Sequence, residues 1–477
     1  MRIPKIIAIR RYYLDLPDYY SEGALPLADI LSSLSYALDL TSGYSSGHAQ
    51  RTCLIGLRLA SVLGLPQYNV NSLYHALLMK DAGCSSNSAR MAEIFGTDDI
   101  QVKRSMRTAN WSNTLEAMRT AAANVLPGGS AIARLKKLIE MTSHREEISD
   151  GLTETRCDRG AQIALQIGLG EDAALVVRHL DEHWDGHGSP YHLKGDAIPL
   201  LARIACLAQT MDVFYVAHGV DAAYEVIMRR CGTWFDPELV RAAARFKSDY
   251  KFWGSLATAH TEMLSNLEMR NALDDASEER IDAICSAFAG IVDAKSPFTA
   301  EHSSRVRDYA VQIGQQMGIM GRRLTLLRRA AQLHDLGKLG VPNSILDKPG
   351  KPTPEEWAVI REHPRNSFLI LARIRGFDRL AEIAGAHHER LDGNGYHRGI
   401  GASELDLDMR ILAAADVFDA LSAKRPYRDA LPLQTVYEIM DKDAGAALDP
   451  DCISALKFVY PAQVPQPSSE DCVPLPA

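Results

Sequence analysis

The sequence is poor in several features that would each point to a particular class of protein. Aromatic residues make up 7% of its 477 residues, and its eight cysteines (53, 84, 157, 206, 231, 285, 452 and 472) form no C-x-x-C pair. A chain of this length buries a large core without covalent staples, so the scattered thiols read as reduced cysteines and the expected compartment is the cytoplasm. No run of 18 apolar residues occurs, and the N-terminal MRIPKIIAIRRYYLDL has only a short apolar stretch broken by charge. Neither a signal peptide nor a membrane span is expected. Positive charge is also short, at 52 Lys and Arg against 60 Asp and Glu, for a net charge of −8. That excludes duplex DNA or RNA binding through a broadly basic surface. A small anionic ligand would need local arginines or metal ions. Strand-like alternation is scarce as well; IPKIIAI is the one place where a short N-terminal strand is expected.

What the sequence does have is helical spacing. Segments such as AEHSSRVRDYAVQIGQQMG and RRLTLLRRAAQLHDLG place apolar residues three and four apart, and short Gly/Pro breaks separate them. The expected fold class is all-α. The chain also contains itself twice. TSGYSSGHAQRTCLIGLRLASVLGLP at 41–66 resembles KSPFTAEHSSRVRDYAVQIGQQMGI at 295–319, with His48 against His302 and Asp81 against Asp335. Leu180 and Gln209 keep the same separation as His387 and Asp416, as do Arg156 and Leu180 against His363 and His387. The offset between copies falls from 254 to 207, which places a 47-residue insertion in the first copy. The reading is therefore two tandem helical bundles: a first copy over 1–260 with an insertion at about 85–150, a connecting helix at 261–280, a second copy over 281–460, and a proline-rich tail over 461–477 expected to be disordered.

Only the second copy keeps a set of groups that could hold metal: His302, His334, Asp335, His363, His387, His388 and Asp416. Imidazole and carboxylate without thiolate suit iron, manganese or zinc. Taken singly, each has a plainer explanation. A lone histidine on a helix is more often a packed or surface residue, and His387-His388 could be a solvated turn. The combination carries the argument. Asp416 sits in the apolar ILAAADVF, where an unpaired carboxylate is costly and a cation would relieve it. Seven ligands exceed one ion's needs, so two ions bridged by a carboxylate are expected, with Asp335 the best candidate. Such a pair suits phosphodiester hydrolysis, because it polarises phosphoryl oxygens and makes hydroxide near neutral pH. Lys338 lies four residues beyond His334, on the same face if the helix continues through Gly337. Asp419 shares a face with Asp416, and Arg425 and Arg428 follow a helix end as surface charges or phosphate clamps.

In order, FTAEHSSRV, LHDLGKLGVP, EHP, HHERLDGNGYHRGI, ADVFDAL and RPYR resemble the HD-GYP family of metal-dependent phosphohydrolases, over about residues 280–460. The resemblance implies a cyclic dinucleotide substrate: cyclic di-GMP opened to pGpG and in some members on to GMP, with 3',3'-cyclic GMP-AMP as the alternative. It implies two divalent ions, iron or manganese. His302, His334, Asp335 and Asp416 would surround one; Asp335, His363, His387 and His388 the other. Asp335 and Lys338 would be the catalytic pair. Lys338, Arg425 and Arg428 would hold phosphate oxygens, Tyr396 would lie against a base, and Arg390, in the HHER position, would also bind substrate. Two departures stand out. His397 replaces a loop proline, which puts a cyclase-domain partner in doubt more than activity. Phe298 stands where some members have a third-metal glutamate, which favours two ions.

The first copy resembles the same domain with its chemistry erased. Lys80, Arg156, Leu180, Asp181 and Gln209 replace ligands, and only His48 and Asp81 remain. A supporting, regulatory or dimerising role follows, so a homodimer is one arrangement the reading allows. The rival of another class is a sensor that binds a cyclic dinucleotide without cleaving it, and a third reading is a related phosphohydrolase acting on another nucleotide.

Overall fold

The computed structural model describes residues 25–107, 114–257, 275–424 and 429–462. IPKIIAI, most of the expected connecting helix, Arg425, Arg428 and the tail beyond 462 lie outside these residues. The first copy runs through α1 (Leu27–Ser42), α2 (His48–Leu63), α3 (Gln67–Met79), α4 (Ser88–Phe95), α5 (Asp99–Met106), α6 (Thr114–Asn124), α7 (Ala131–Ser143), α8 (Arg145–Gln166), α9 (Glu171–His179), α10 (Leu200–His218), α11 (Val220–Arg229), α12 (Pro237–Ala244) and α13 (Tyr250–Leu256). The second runs through α14 (Glu278–Asp293), α15 (His302–Gln316), α16 (Gly321–Leu333), α17 (Asn343–Leu346), α18 (Pro354–Arg361), α19 (His363–Leu371), α20 (Asp378–Gly385), α21 (Leu407–Ser422), α22 (Leu433–Lys442) and α23 (Pro450–Val459). The fold is all-α, as expected.

Local chemistry sets the helix ends. α2 stops at Gly64, whose left-handed φ of 68° lets its N–H return to the carbonyls of the last turn. α18 starts at Pro354 behind a reciprocal Thr353/Glu356 capping box. α10 is long and apolar enough, by length and composition, to cross a membrane; 56% of that window is buried inside the protein, where α10 packs on α2 and α11.

The duplication is visible element by element. α2 matches α15, α9 matches α20 and α10 matches α21. The 3₁₀ turns Cys84–Asn87 and Leu336–Gly340 also correspond. In both copies one glycine is required by a close approach. A Cβ on Gly337 would meet the His363 carbonyl oxygen at 2.1 Å, and one on Gly83 would meet the Arg156 carbonyl oxygen at 1.9 Å. A further difference went unread in the sequence. Pro237 and Pro450 open matching helices at an offset of 213, six more than the 207 between Leu200 and Leu407. The first copy joins α10 to α11 through Gly219 alone, whereas the second places residues 423–432 between α21 and α22. Arg425 and Arg428 belong to that extra length.

The two copies interlock. Leu25–Pro26 pairs antiparallel with Asp275–Ala276, the one sheet among the described residues. Ala276 thus belongs to a strand, and α14 begins at Glu278, inside the span expected to be a connecting helix. The insertion builds a small core of its own from Met91, Phe95, Val102 and Val125. It also reaches the second copy. Asp99, fully buried on α5, accepts the Asn343 backbone N–H at 2.9 Å and pairs with Lys103 at 3.0 Å. Buried Lys295 donates to the Leu339 carbonyl at 2.9 Å. Burial presses the Lys295 ammonium down to about 8, against the opposing pull of Asp99. The insertion and α1 therefore grip the segment 339–343, just beyond the His334-Asp335 motif.

Removing Asp99 would leave Lys103 without its ion-pair partner and take from Lys295 the strongest of the carboxylates that favour its charge. Asp99→Ala should destabilise the chain by about 3 kcal/mol. The shift of its first denaturation transition in guanidinium measures this; an unchanged midpoint would show the contact to be idle.

Candidate metal centre

The seven residues singled out as metal ligands come from five parts of the second copy. His302 opens α15, His334 and Asp335 follow the end of α16, His363 opens α19, His387 and His388 follow α20, and Asp416 lies within α21. All are buried except His388, which is partly so. The structure brings them together. His302, His334 and Asp335 have ligand atoms within 4.8 Å of one another, as do His334, His387 and Asp416, and also His363, His387 and His388.

Three of these rings are fixed by the backbone behind them. Nδ1 of His334 lies 2.7 Å from the Ala331 carbonyl, that of His387 2.6 Å from the Ala384 carbonyl, and that of His363 against the Ile360 carbonyl. A carbonyl only accepts, so each Nδ1 carries the proton and each Nε2 turns a lone pair inward. The fourth ring, His302, donates Nδ1–H to Asp419 at 2.7 Å, and Arg305 holds the same carboxylate at 2.6 Å. Asp293 receives the backbone N–H and hydroxyl of Ser303, which seats the start of α15.

The inward atoms lack protein partners. His302 Nε2, His334 Nε2 and Asp335 Oδ1 are buried without a hydrogen bond. His363 Nε2 and His387 Nε2 stand 3.1 Å apart, both as acceptors. Two lone pairs hold that approach only with positive charge between them. About 3 Å is also the spacing of two nitrogens at adjacent corners around an ion with bonds of about 2.1 Å. Asp335 divides its oxygens: Oδ2 is 3.3 Å from His302 Nε2 and 3.4 Å from His334 Nε2, while Oδ1 is 3.3 Å from His363 Nε2 and 3.7 Å from His387 Nε2. Asp416 repeats the pattern, with Oδ1 3.5 Å from His302 Nε2 and Oδ2 3.7 Å from His388 Nδ1. The donor set fits divalent metal.

Charge supports the fit. Burial alone would raise the Asp335 carboxyl, but Lys338 and the surrounding histidines hold it well below the usual carboxylate range. Burial would likewise raise Asp416, and His334 and His388 hold it low. Burial and neighbouring histidines push His387 far down, and burial takes His388 to about 3. Both imidazoles are neutral and ready to bind a cation. His302 goes the other way: burial lowers it, but Asp335 and Asp419 outweigh that and bring it to about 9. Metal would replace that proton.

Among the other candidates, Lys338 donates to Asp335. It does so from the 3₁₀ turn and not by continuing α16, which ends at Leu333. Tyr396 lies 4.5 Å from the His388 ring, half-buried at the rim. Arg361, which sequence reading passed over, covers the Tyr396 ring at 5.4 Å. Arg390 is not drawn in; its guanidinium is held in a two-pronged pair with Asp392 at 3.0 and 2.8 Å. Glu389, also passed over, is buried and accepts the Arg398 N–H at 2.8 Å, tying down the loop that carries Tyr396.

The first copy keeps this frame and fills its centre with protein cations. His48 Nδ1 meets Asp212 at 2.6 Å and Arg51 meets Asp212 at 2.7 Å, the counterparts of His302, Asp419 and Arg305. Where ligands would stand, Lys80 pairs with Asp81 and Arg156 with Asp181. Gln209 reaches Asp181 at 3.4 Å. No group of three metal-binding side chains forms there among the described residues.

Comparison with known proteins agrees with this geometry. The HD domain family model matches residues 71–239 and 286–452, one segment in each copy. The chain is 42% identical to the 3'3'-cGAMP-specific phosphodiesterase 3 of Vibrio cholerae over 92% of its own length and 95% of that protein's. It is 38% identical to a cyclic di-GMP phosphodiesterase of Thermotoga maritima, over 33% of this chain and 43% of that one. The crystal structure of a Vibrio cholerae cyclic GMP-AMP-specific phosphodiesterase superposes with a TM-score of 0.62 at 37% identity, covering 91% of this chain and 98% of that one. The chain belongs to the HD-domain family, in its HD-GYP branch. Within that class it is a metal-dependent phosphodiesterase with a degenerate first copy.

Three substitutions test the centre. Asp335→Ala should abolish turnover and lower bound metal, since both histidine groups face its oxygens. Asp419→Asn should weaken metal binding about 10- to 100-fold in chelator competition, because it orients His302 from behind. Lys80→His should leave metal per chain unchanged by elemental analysis, as Arg156 still occupies the centre. Full turnover by Asp335→Ala, or extra metal in Lys80→His, would contradict this assignment.

Proposed function

We propose that the chain hydrolyses 3',3'-cyclic GMP-AMP to the linear dinucleotide, using two divalent ions. His302, His334, Asp335 and Asp416 would hold one ion, and Asp335, His363, His387 and His388 the other; imidazole with carboxylate accommodates iron or manganese, the metals that the HD-GYP resemblance implies. When bound, the ions polarise the phosphodiester and supply hydroxide near neutral pH. Lys338 orients Asp335 and faces the developing charge on phosphate. Arg425 and Arg428 are suited to clamp the remaining phosphate oxygens, and Tyr396, backed by Arg361, offers a ring for a base to lie against.

The reading rests on one observation about substrate. The similarity to the cyclic GMP-AMP-specific relative runs through both copies, whereas the cyclic di-GMP enzyme of Thermotoga maritima matches over 33% of this chain. That reverses the order suggested by the sequence motifs, where cyclic di-GMP came first. The sensor reading is disfavoured by the intact ligand set, which a protein that only bound nucleotide would not need.

The test is product chromatography with the metal-loaded protein on both cyclic dinucleotides. A kcat/KM at least about tenfold higher for cyclic GMP-AMP is expected, within the range that a few altered base contacts supply. Arg425→Ala and Arg428→Ala should raise KM with normal metal content. Equal rates on both substrates would remove the specificity; no turnover with full metal would leave a sensor.

A further inference from the structure

The first copy has a cavity of about 200 Å³ beside its altered centre. Tyr44 and His48 line it at the start of α2, Val213 and Val216 line it from α10, and Arg104 and Arg107 close it from the end of α5. Those two arginines belong to the insertion, so the second copy has no counterpart. The charge balance here is uneven. Lys80, Arg156 and Arg51 each have a carboxylate partner. Arg104 and Arg107 have no ion pair among the described residues. Among the described residues Arg107 reaches the Ser42 carbonyl, at 3.5 Å, and covers the Tyr44 ring at 4.3 Å, while its Nε is buried without a partner there. Tyr44 in turn stacks on His48 at 3.7 Å. His48 Nε2, on a ring 1% exposed, also lacks a hydrogen bond. Asp212 also lines the cavity, but Arg51 and His48 already hold its carboxylate. Two guanidiniums without a carboxylate and the unused Arg107 Nε–H, beside an apolar wall, suit a phosphate group carrying a ribose and base; His48 Nε2, an acceptor because its Nδ1–H goes to Asp212, suits a ribose hydroxyl. The small volume favours one nucleotide over two.

The same helix touches the catalytic copy. Asp99 at its other end holds the Asn343 N–H, and Asn343 follows the 3₁₀ turn that carries Lys338. We propose that the cavity is an effector site for a nucleoside monophosphate, and that α5 carries its occupancy to the turn bearing Lys338. This does not depend on which cyclic dinucleotide is cleaved.

The experiment uses the full, metal-loaded chain. Equilibrium dialysis with labelled guanosine and adenosine 5'-monophosphate, and with inorganic phosphate, counts sites per chain. The catalytic site can itself bind product, so two sites are expected in the native chain and one in Arg104→Ala/Arg107→Ala, with an unchanged melting temperature. At saturating cyclic dinucleotide, where competition at the catalytic site is overcome, the monophosphate should change kcat at least about twofold. The double variant should lose that response and keep its basal kcat. Asp99→Asn should retain the second site and lose the response. One site in the native chain, two in the double variant, or inorganic phosphate binding as tightly as the nucleotides would overturn the site. A filled second site with kcat unchanged at saturation would overturn the coupling.

Discussion

The second copy is organised around buried lone pairs that face each other. His363 and His387 bring two acceptor nitrogens to 3.1 Å, and the carbonyls behind them forbid either ring from turning its proton inward without losing a hydrogen bond. Such an arrangement is unfavourable in a low-dielectric interior unless positive charge completes it. The helix ends that deliver these rings, the glycine that lets the 3₁₀ turn approach α19, and the Asp419–Arg305 support behind His302 all serve that convergence. The site is a cation-shaped constraint first and a catalyst because of it.

The first copy meets the same constraint with covalently attached cations. Its frame of His48, Asp212 and Arg51 is kept nearly atom for atom, while Lys80 and Arg156 supply the charge that metal would bring. Burial disfavours the Lys80 ammonium, yet Asp81 and Tyr44 more than restore it, so the charge is a stable part of the fold. Loss of chemistry here did not require loss of architecture. It freed a surface on which the insertion could place a helix reaching into its neighbour.

Much of this was legible in the sequence, for identifiable reasons. Helical periodicity and equal spacings between copies gave the fold, because both reflect which faces are buried. The ligands stood out because Asp416 and the paired histidines are improbable in apolar helices unless charge is matched. Other features had no local signature. Asp99 and Asn343 are 244 residues apart, and neither segment hints at the other. Lys338 was read on a continuing helix, but α16 ends at Leu333 and a 3₁₀ turn brings the ammonium to Asp335. Arg390 was expected to face substrate; a neighbour two residues away, Asp392, competes for it successfully. Such competition depends on loop geometry that residue identity does not reveal.

The interlock between copies also orders events during synthesis. Leu25–Pro26 has no strand partner until Asp275 and Ala276 have been made, and Asp99 stays without its Asn343 contact for longer still. The first bundle therefore leaves the ribosome with a buried-type carboxylate and a strand edge temporarily exposed. At elongation rates of about 5–20 residues per second that interval lasts about ten seconds or more. A nascent chain in that interval is open to pairing with the wrong bundle, including the matching one from another copy of itself, so domain exchange between neighbouring chains is the characteristic hazard of this architecture.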